Sequence, residues 1–448
     1  MGTDLFSRTR RAKIDPSPFS YDDAPLRPFH IRVAIAAFGG VFSDGFGLGI
    51  IGISLGLASG TLELTPLWLG LLGAASLFGL FFGALLTGPA ADRYGRRPVF
   101  AYNMALLALF SGAQFFVASS AELLFLRFVI GVLLGTDYVV SKAMLTEFTP
   151  RIIRGRIMGA LSVAWAGGFA CAFAVGVALS GTGPDAWRWM LAASAVPCLL
   201  VLPLRWSLPE SPLWLAAQGQ GAAAAQVVRD RFGAGVAPPP ARPRLPQVQG
   251  RWAQLLSPAW RRRTFVGCAF FVCQVIPYFA VGTFVARVLA ALDVKGDYVG
   301  GLFYNAALVA GAILGVSIVD RLPRRVFLVG SFAVTAGAML VLTLTEALPA
   351  ATVIALFALF ACVLSAASNL CYVYLPELFP TDLRASGIGL AIAASRIGSA
   401  VGTFLLPALV AAFGVRAALG ACFGVLVFGG IACYLFAPET RNAPLSVT

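Results

Sequence analysis

The chain has 448 residues, of which 59% are hydrophobic and 12% are charged, and its mean hydropathy is +0.84. A water-soluble fold cannot enclose that much apolar surface, so the composition excludes a soluble globular protein and indicates an integral membrane protein. The formal net charge of +13 could suggest a nucleic-acid ligand. However, the arginines gather in alternate connectors and near the N-terminus, which is the pattern of the positive-inside rule. We therefore expect no nucleic-acid partner.

The long apolar segments define the predicted fold. A bilayer core needs about 20 apolar residues for each spanning helix, and the chain contains twelve such runs. They cover residues 32–57, 67–88, 99–118, 122–146, 157–181, 187–207, 264–292, 297–319, 326–345, 349–375, 385–412 and 415–437. We predict an all-α integral membrane protein with twelve transmembrane helices.

Three short motifs occur twice, once in each half of the chain. The charged segment 92–97 returns at 320–325, the segment 147–154 returns at 377–384, and Pro-Glu-Ser at 209–211 returns as Pro-Glu-Thr at 438–440. The three offsets are 228, 230 and 229 residues. A shared period of about 229 residues predicts two homologous, pseudo-symmetric six-helix bundles.

This repeat divides the chain into five predicted parts. They are a cytoplasmic N-terminal tail (1–30), a first bundle (31–208), a cytoplasmic central loop (209–263), a second bundle (264–438) and a cytoplasmic C-terminal tail (439–448). Both termini and the central loop are placed in the cytoplasm because arginines concentrate there. Within the central loop we expect one or two short surface helices and then a semi-rigid proline-rich linker at 237–246.

The repeated connectors are predicted to control gating. Gly88 should let two helices approach closely, Gly95 should permit a tight turn, and Asp92 should lie against an arginine or a helix N-terminus. The gating candidates are Gly88, Asp92, Arg93, Gly95, Arg96, Arg97, Glu147, Arg154, Asp320, Arg321, Arg325, Glu377 and Arg384. A loop that only sets orientation would need neither the glycine nor the aspartate.

Ionisable residues inside the apolar runs mark the predicted transport site. Asp44 lies midway along the first run, where a charge costs about 2.5 to 3.5 kcal/mol. At about 100° per residue, Arg127, Tyr138 and Lys142 share one face of the fourth helix, and Asp137 lies about 80° off its edge. The alternatives are that hydroxyls such as that of Ser43 satisfy Asp44, and that the two cations extend to opposite interfaces.

The chain lacks the residue patterns of enzymatic chemistry. It has one histidine, His30, no phosphate-binding loop and no exposed nucleophile beside a base, so hydrolysis and ATP use are not expected. The eight cysteines all fall in apolar runs without metal-ligand spacing, and we interpret them as packing residues. No cofactor and no metal are expected.

Taken together, the motifs resemble those of the major facilitator superfamily over essentially the whole chain. Segment 88–97 resembles the signature between its second and third helices. Further segments resemble the sugar-porter clan, which also contains phosphate, aromatic-acid, nicotinate and organic-ion transporters: Arg127-x-x-x-Gly131, Glu147, Arg154-Gly155-Arg156, Pro209 to Leu215 and Pro438-Glu439-Thr440. The resemblance implies alternating access by two rocking bundles, driven by a proton gradient.

Details of the resemblance concern the proton path and the substrate. Asp44-Gly-Phe resembles the Asp-x-aromatic-Asp pattern of proton symporters, but Gly47 replaces the second aspartate. Asp137-Tyr138 resembles part of a phosphate-symporter motif, yet the seventh helix has no carboxylate, which disfavours inorganic phosphate. The predicted proton-coupling residues are Asp44, Asp137 and Arg127, with Arg127 tuning the pKa of the acid by proximity.

Arg396 decides the predicted substrate. It lies about 17 Å along its helix from Arg384, which is too deep for easy extension to the interface. If Arg396 faces the cavity, the central charges are three positive and two negative, from Arg127, Lys142 and Arg396 and from Asp44 and Asp137. One excess positive charge in a buried site indicates an anionic substrate. The predicted substrate-binding residues are Tyr138, Lys142, Trp165, Gln274, Tyr278, Asn305, Tyr372 and Arg396.

The predicted function is proton-coupled uptake of a small organic anion, such as a monocarboxylate, by a monomer in the lipid bilayer of a bacterial inner membrane. A sugar or polyol symporter is the alternative, in which Arg396 pairs with a carboxylate and groups such as Gln274 and Asn305 bind hydroxyls. Drug efflux and a receptor without transport activity are further alternatives. The repeated gating motifs argue against the receptor.

Overall fold

The computed structural model describes residues 19–233, 235–240, 251–292, 294, 297–346 and 348–440. In these ranges the chain is almost entirely helical, and the extended pairing is an isolated bridge between Phe19 and Val236. Helices dominate because a backbone in the hydrocarbon core must satisfy its N–H and C=O groups within its own segment.

Seven helices form the six spans of the first bundle. They are α1 (Pro28–Thr61), α2 (Pro66–Tyr94), α3 (Arg96–Ala113), α4 (Ser120–Phe148), α5 (Arg151–Leu179), α6 (Ala186–Ala193) and α7 (Ala195–Trp206). A 3-10 turn, Gln114–Phe116, extends α3, while α6 and α7 together make the sixth span.

The central loop carries α8 (Pro212–Ala217), α9 (Gly221–Arg231) and α10 (Arg251–Leu255). The first two confirm the predicted short helices, whereas residues 241–246 of the predicted proline-rich linker lie outside the described residues. The described part of the N-terminal segment does not stand apart as a tail. Tyr21 and Phe29 pack with Phe148 of α4 and with Phe232 and Val236 of the central loop, so this segment forms part of a small apolar core.

The second bundle is built in the same order. Its helices are α11 (Arg261–Thr283), α12 (Val285–Ala291), α13 (Asp297–Ile318), α14 (Arg324–Leu344), α15 (Ala350–Ser368), α16 (Leu370–Glu377) and α17 (Thr381–Phe436). The apolar part of α17 has 51 residues, about 76 Å, which is more than twice the thickness of a bilayer core. Gly414 breaks it with φ +83°, between the eleventh and twelfth predicted runs. The described chain therefore has the twelve predicted spans.

The distance between the two bundles differs between the two ends of the molecule. We call the end that carries Arg96, Arg154 and Arg324 the basic end. At the opposite end a Cβ on Gly52 of α1 would lie 1.5 Å from the Thr283 carbonyl oxygen, and one on Gly70 of α2 would lie 2.3 Å from that of Phe404. Backbones of the two bundles thus touch directly there.

At the basic end the bundles are further apart. Gly88, Gly155 and Gly159 have no neighbouring atom within 4 Å of a Cβ position. Gly88 therefore does not mediate the close helix approach that we predicted for it, since no other helix lies against its Cβ position. Gly155 and Gly159 line a cavity between α5 and the second bundle. The two bundles are therefore packed more closely at the end opposite the basic loops than at the basic end.

Candidate functional site

A central cavity lies between the two bundles and brings together most of the residues selected from the sequence. Its wall comes from α1, α2, α4 and α5 of the first bundle and from α11, α15, α16 and α17 of the second. The selected residues that line it are Asp44, Tyr138, Lys142, Trp165, Gln274, Tyr278, Tyr372 and Arg396. On its basic side, the hydroxyl of Ser162 hydrogen-bonds the side chain of Asn369 across the two bundles at 2.8 Å.

Two cations and two tyrosines form a cluster at one side of the cavity. The Lys142 Nζ atom lies 3.3 Å from the ring centre of Tyr138 and 4.8 Å from that of Tyr372. The guanidinium carbon of Arg396 lies 5.2 Å from the Tyr138 ring centre. Ring faces stabilise cations, but they do not neutralise them. No salt bridge joins Lys142 or Arg396 to a carboxylate in the described part of the chain, so both keep their charge available to a ligand.

Asp44 faces the same cavity. Its side chain is 3% exposed, and neither carboxylate oxygen has a hydrogen-bond partner among the described residues. The Ser43 hydroxyl, which was the alternative partner, donates to the Gly39 carbonyl at 2.8 Å instead. A buried carboxylate without donors is costly when ionised, so Asp44 has the environment of a group that exchanges a proton.

Asp137 has a different environment from the one predicted. It lies behind the cavity wall in an ion pair with Arg205 of α7, and both side chains are fully buried. Ser141 donates to Asp137 Oδ2 at 2.9 Å, and Arg205 also donates to the Phe100 and Ala36 carbonyls at 3.2 and 3.3 Å. The sequence analysis missed Arg205, because an arginine in the last turn of a span ordinarily extends to the interface. In this structure Asp137 is thus the buried partner of Arg205 and does not line the central cavity.

Arg127 also differs from its predicted role. It is fully buried and donates from Nη1 and Nη2 to the Gly47 carbonyl at 3.1 and 3.0 Å, while its Nε has no partner among the described residues. It forms no salt bridge in that part of the chain. The structure therefore shows Arg127 tying α4 to α1 rather than pairing with an acid. The charges that face the cavity are those of Asp44, Lys142 and Arg396.

Asn305 is the selected substrate residue that does not line the central cavity. Its side-chain amide donates to the Gly301 carbonyl one turn earlier in α13, at 2.8 Å. The side chain is 1% exposed and packs inside the second bundle. The prediction for Asn305 was wrong because helical periodicity alone does not identify which polar face lines a cavity.

The first-half charge cluster consists of Asp92, Arg96, Glu147 and Glu210. Arg96 binds Asp92 at 2.7 Å and Glu147 at 3.2 Å. Glu210 accepts the backbone N–H of Arg96 at 3.0 Å and that of Arg97 at 3.1 Å. A carboxylate at the first N–H groups of α3 satisfies donors that have no helical partner and complements the helix dipole.

The second-half charge cluster repeats this arrangement with Asp320, Arg324, Glu377 and Glu439. Arg324 lies 3.2 Å from Asp320 and 3.4 Å from Glu377. Glu439 accepts the backbone N–H groups of Arg324 and Arg325 at 2.9 and 3.0 Å. The sequence analysis did not select Arg324, Glu210 or Glu439 as gating residues, although the shared offset of the repeated motifs was the signal that could have found them.

Other selected gating residues lie around these clusters. Arg154 binds the Thr149 carbonyl at 3.0 Å and Asp22 of the N-terminal segment at 2.7 Å, whereas Arg384 binds the Pro376 and Phe379 carbonyls at 3.0 and 3.3 Å. Arg93 lies against the ring of the adjacent Tyr94, and Arg321 is exposed.

Comparison with known proteins agrees with this architecture. The sequence profile of the family described as "Sugar (and other) transporter" matches residues 33–447. The inner membrane metabolite transport protein YgcS of Escherichia coli K12 is 38% identical over 432 residues, which cover 96% of each chain. The putative metabolite transport protein YaaU of the same strain is 35% identical with the same coverage.

The fold is that of a solved transporter. The partially occluded inward open conformation of the xylose transporter XylE from E. coli superposes with a TM-score of 0.77 at 19% sequence identity, covering 93% of this chain and all of that chain. The chain belongs to the family of sugar and other transporters, and it is a membrane transporter, not an enzyme.

Proposed function

We propose that this transporter takes up a small organic anion, such as a monocarboxylate, together with a proton. The observation that carries the proposal is the central cavity itself, where Lys142 and Arg396 face Asp44 without a carboxylate partner. Such charges are retained inside a membrane protein when they act on ions or substrates.

The charge of the cavity supports coupling of one anion to one proton. With Asp44 ionised, the three facing side chains sum to one positive charge. Binding a proton to Asp44 and a monoanion to the two cations leaves that sum unchanged, so the loaded and empty states have the same net charge. A proton with a neutral solute would raise the sum to two positive charges in a low-dielectric site, which is unfavourable.

The aromatic lining favours an anion that has an apolar body. Trp165, Tyr278 and Phe279 pack within 5.9 Å of one another, measured between ring centres, on the wall of the cavity. Rings at this spacing accept flat or aliphatic groups by dispersion and apolar burial. The ligand's carboxylate would bind Lys142 and Arg396, and its body would lie against these rings.

Alternating access is the proposed mechanism. The positive-inside rule assigns the basic end to the cytoplasm, and with that orientation the looser packing at this end supports an inward-facing state. The two charge clusters would hold their helix ends as rigid units while the bundles rock about the cavity. Asp44 would release its proton and the anion on this side.

The proposal is tested by uptake in proteoliposomes with an inward pH gradient. Labelled monocarboxylates should accumulate above equilibrium. Asp44→Asn should abolish accumulation but retain counterflow exchange, since binding survives and coupling does not. Lys142→Gln with Arg396→Gln should abolish both. Accumulation of neutral hexoses without carboxylates would contradict the anion assignment, and gradient-driven accumulation by Asp44→Asn would exclude Asp44 as the coupling acid.

A sugar or polyol substrate remains the second candidate because polar groups also line the cavity. Gln274, Ser365 and Ser368 contribute amide and hydroxyl groups, and the Gln274 amide already donates to the Leu364 carbonyl at 2.9 Å. This candidate requires Arg396 to be neutralised by a carboxylate, and the described residues contain no such pair. Competition of unlabelled xylose or inositol against the carboxylate separates the two candidates.

A further inference from the structure

A polar contact joins the two bundles at the end opposite the basic loops. Arg287 of α12 donates from Nη2 to the Ser59 hydroxyl near the end of α1, at 3.3 Å. Arg287 also lines a cavity of about 360 Å³ between the bundles, with Pro66 and Leu69 on one side and Val288 on the other. The Arg287 side chain therefore crosses the boundary between the halves.

By their separation along the chain, Ser59 and Arg287 occupy closely corresponding positions in the two halves. They are 228 residues apart, which equals the offset between Asp92 and Asp320 in the repeated motifs. The two halves of this fold are related by an axis along the membrane normal. Corresponding positions of the two halves can touch only close to that axis, so Arg287 lies near the line along which the two bundles meet at this end.

Arg287 differs from its charged neighbours at this end. Arg188 pairs with Asp185 at 3.0 Å, and Arg416 pairs with Glu346 at 3.7 Å. Arg287 has no salt bridge in the described part of the chain. Within the described residues, its guanidinium is therefore held by the Ser59 hydroxyl and not by a carboxylate.

We propose that Arg287 forms an anion-attracting site at the mouth of the pathway and selects anionic over cationic or neutral solutes before they reach the central cavity. The inference rests on the proposed function for its physiological ligand, an organic anion. In the closed state Ser59 holds the guanidinium across the mouth. When this end opens, the hydrogen bond breaks and the charge faces the entering solute.

A thiol reporter tests the site without requiring transport. Ala291 lies one turn after Arg287 and lines the same cavity, so Ala291→Cys places a thiol beside the guanidinium. Membrane-impermeant anionic and cationic methanethiosulfonates are applied from this side, and their reaction rates are compared after subtraction of the parent chain. Arg287→Gln should lower the anionic-to-cationic rate ratio about five- to tenfold at low salt.

Matched variants separate the effect of the Arg287 charge from the effect of its hydrogen bond to Ser59. Arg287→Lys and Ser59→Ala should both keep the high ratio, since both keep the cation. Arg416→Gln should also keep it, because the charge it removes is already paired with Glu346. A ratio that Arg287→Gln leaves unchanged, in protein with an unaltered melting temperature, overturns the proposal.

A transport measurement separates this proposal from the proposed function. In proteoliposomes that carry the anion, Arg287→Gln should raise KM about fivefold from the side of Arg287. It should leave KM from the basic end unchanged. If the wild-type protein carries neutral solutes instead, but the rate ratio still falls in Arg287→Gln, the anion-attracting site stands and the proposed cargo is wrong.

Discussion

Two aspartates in the first bundle show how neighbours decide the role of a residue. Asp44 and Asp137 are both buried carboxylates on spanning helices. Asp137 has its charge matched by Arg205 and an added hydrogen bond from Ser141, while Asp44 has no hydrogen-bond partner among the described residues. Burying a carboxylate without a donor or a counter-charge is costly, whereas a paired and hydrogen-bonded carboxylate has its burial compensated. This difference in partners is the reason why we propose Asp44, and not Asp137, as the coupling acid.

The buried ion pair between Asp137 and Arg205 leads to a prediction about stability. Arg205→Gln leaves the Asp137 carboxylate buried without its counter-charge and should destabilise the protein by about 3 to 5 kcal/mol. The double variant Arg205→Gln with Asp137→Asn removes both charges and should recover most of that loss. Thermal unfolding in detergent measures both. A double variant no more stable than the single one would show that the two side chains do not act as a pair.

Gly40 explains how this pair fits between the helices. A Cβ at Gly40 of α1 would lie 2.6 Å from Asp137 Oδ2 and closer still to the Arg205 guanidinium. The absent side chain of a glycine thus makes room for two charged groups against the neighbouring backbone. A sequence pattern shows the glycine but not the arginine that fills its space.

At the scale of elements, the connector between α2 and α3 owes its shape to one glycine and one distant glutamate. Gly95 has φ +101°, a conformation that side chains other than hydrogen disfavour. Glu210, which follows α7, binds the first N–H groups of α3. The turn therefore couples α3 to the start of the central loop, and the second half repeats the coupling through Glu439.

We predict different effects of alanine at Gly95, in this connector, and at Gly88, near the end of α2. Gly95→Ala places a Cβ 2.3 Å from Glu210 Oε2 in a strained backbone conformation, and should destabilise the protein by about 2 kcal/mol or more. Gly88→Ala meets no atom within 4 Å and should be neutral or slightly stabilising in its helix. Melting temperatures of the two variants check this. Equal losses would mean that the turn geometry does not matter.

At the scale of the whole molecule, glycines at the end opposite the basic loops allow the two bundles to close. Gly52 and Gly70 each lie against a backbone carbonyl of the second bundle. Comparable positions at the basic end, such as Gly155, have open space. A transporter that alternates between two states must pack closely at one end while the other end separates.

This packing predicts that one added methyl group at Gly52 prevents the two bundles from closing at this end. Gly52→Ala would place its Cβ 1.5 Å from the Thr283 carbonyl oxygen, so the closed end should be forced apart. We expect transport to fall at least about tenfold, and a thiol at position 291 to react faster from that side. Gly56→Ala on the same helix meets no atom within 4 Å and serves as the control. Wild-type transport by Gly52→Ala would show that closure does not need this contact.

The sequence by itself determined the helical class, the twelve spans and the two-fold repeat. Apolar runs of sufficient length must become helices in a bilayer, because the backbone has no other way to satisfy its polar groups there. A common offset in three motifs identifies two homologous halves without structural information. Both inferences depend only on order along the chain.

Which charges pair and which face the pathway was decided by the tertiary structure alone. Arg205, 68 residues after Asp137, neutralises it, and Arg127 reaches a carbonyl 80 residues before it. The side chain of Asn305 hydrogen-bonds a carbonyl of its own helix. Asp44, Lys142 and Arg396 come from three different helices and line the same cavity. Electrostatic interactions depend on distance and burial in space, and periodicity within one helix contains no information about the helix that packs against it.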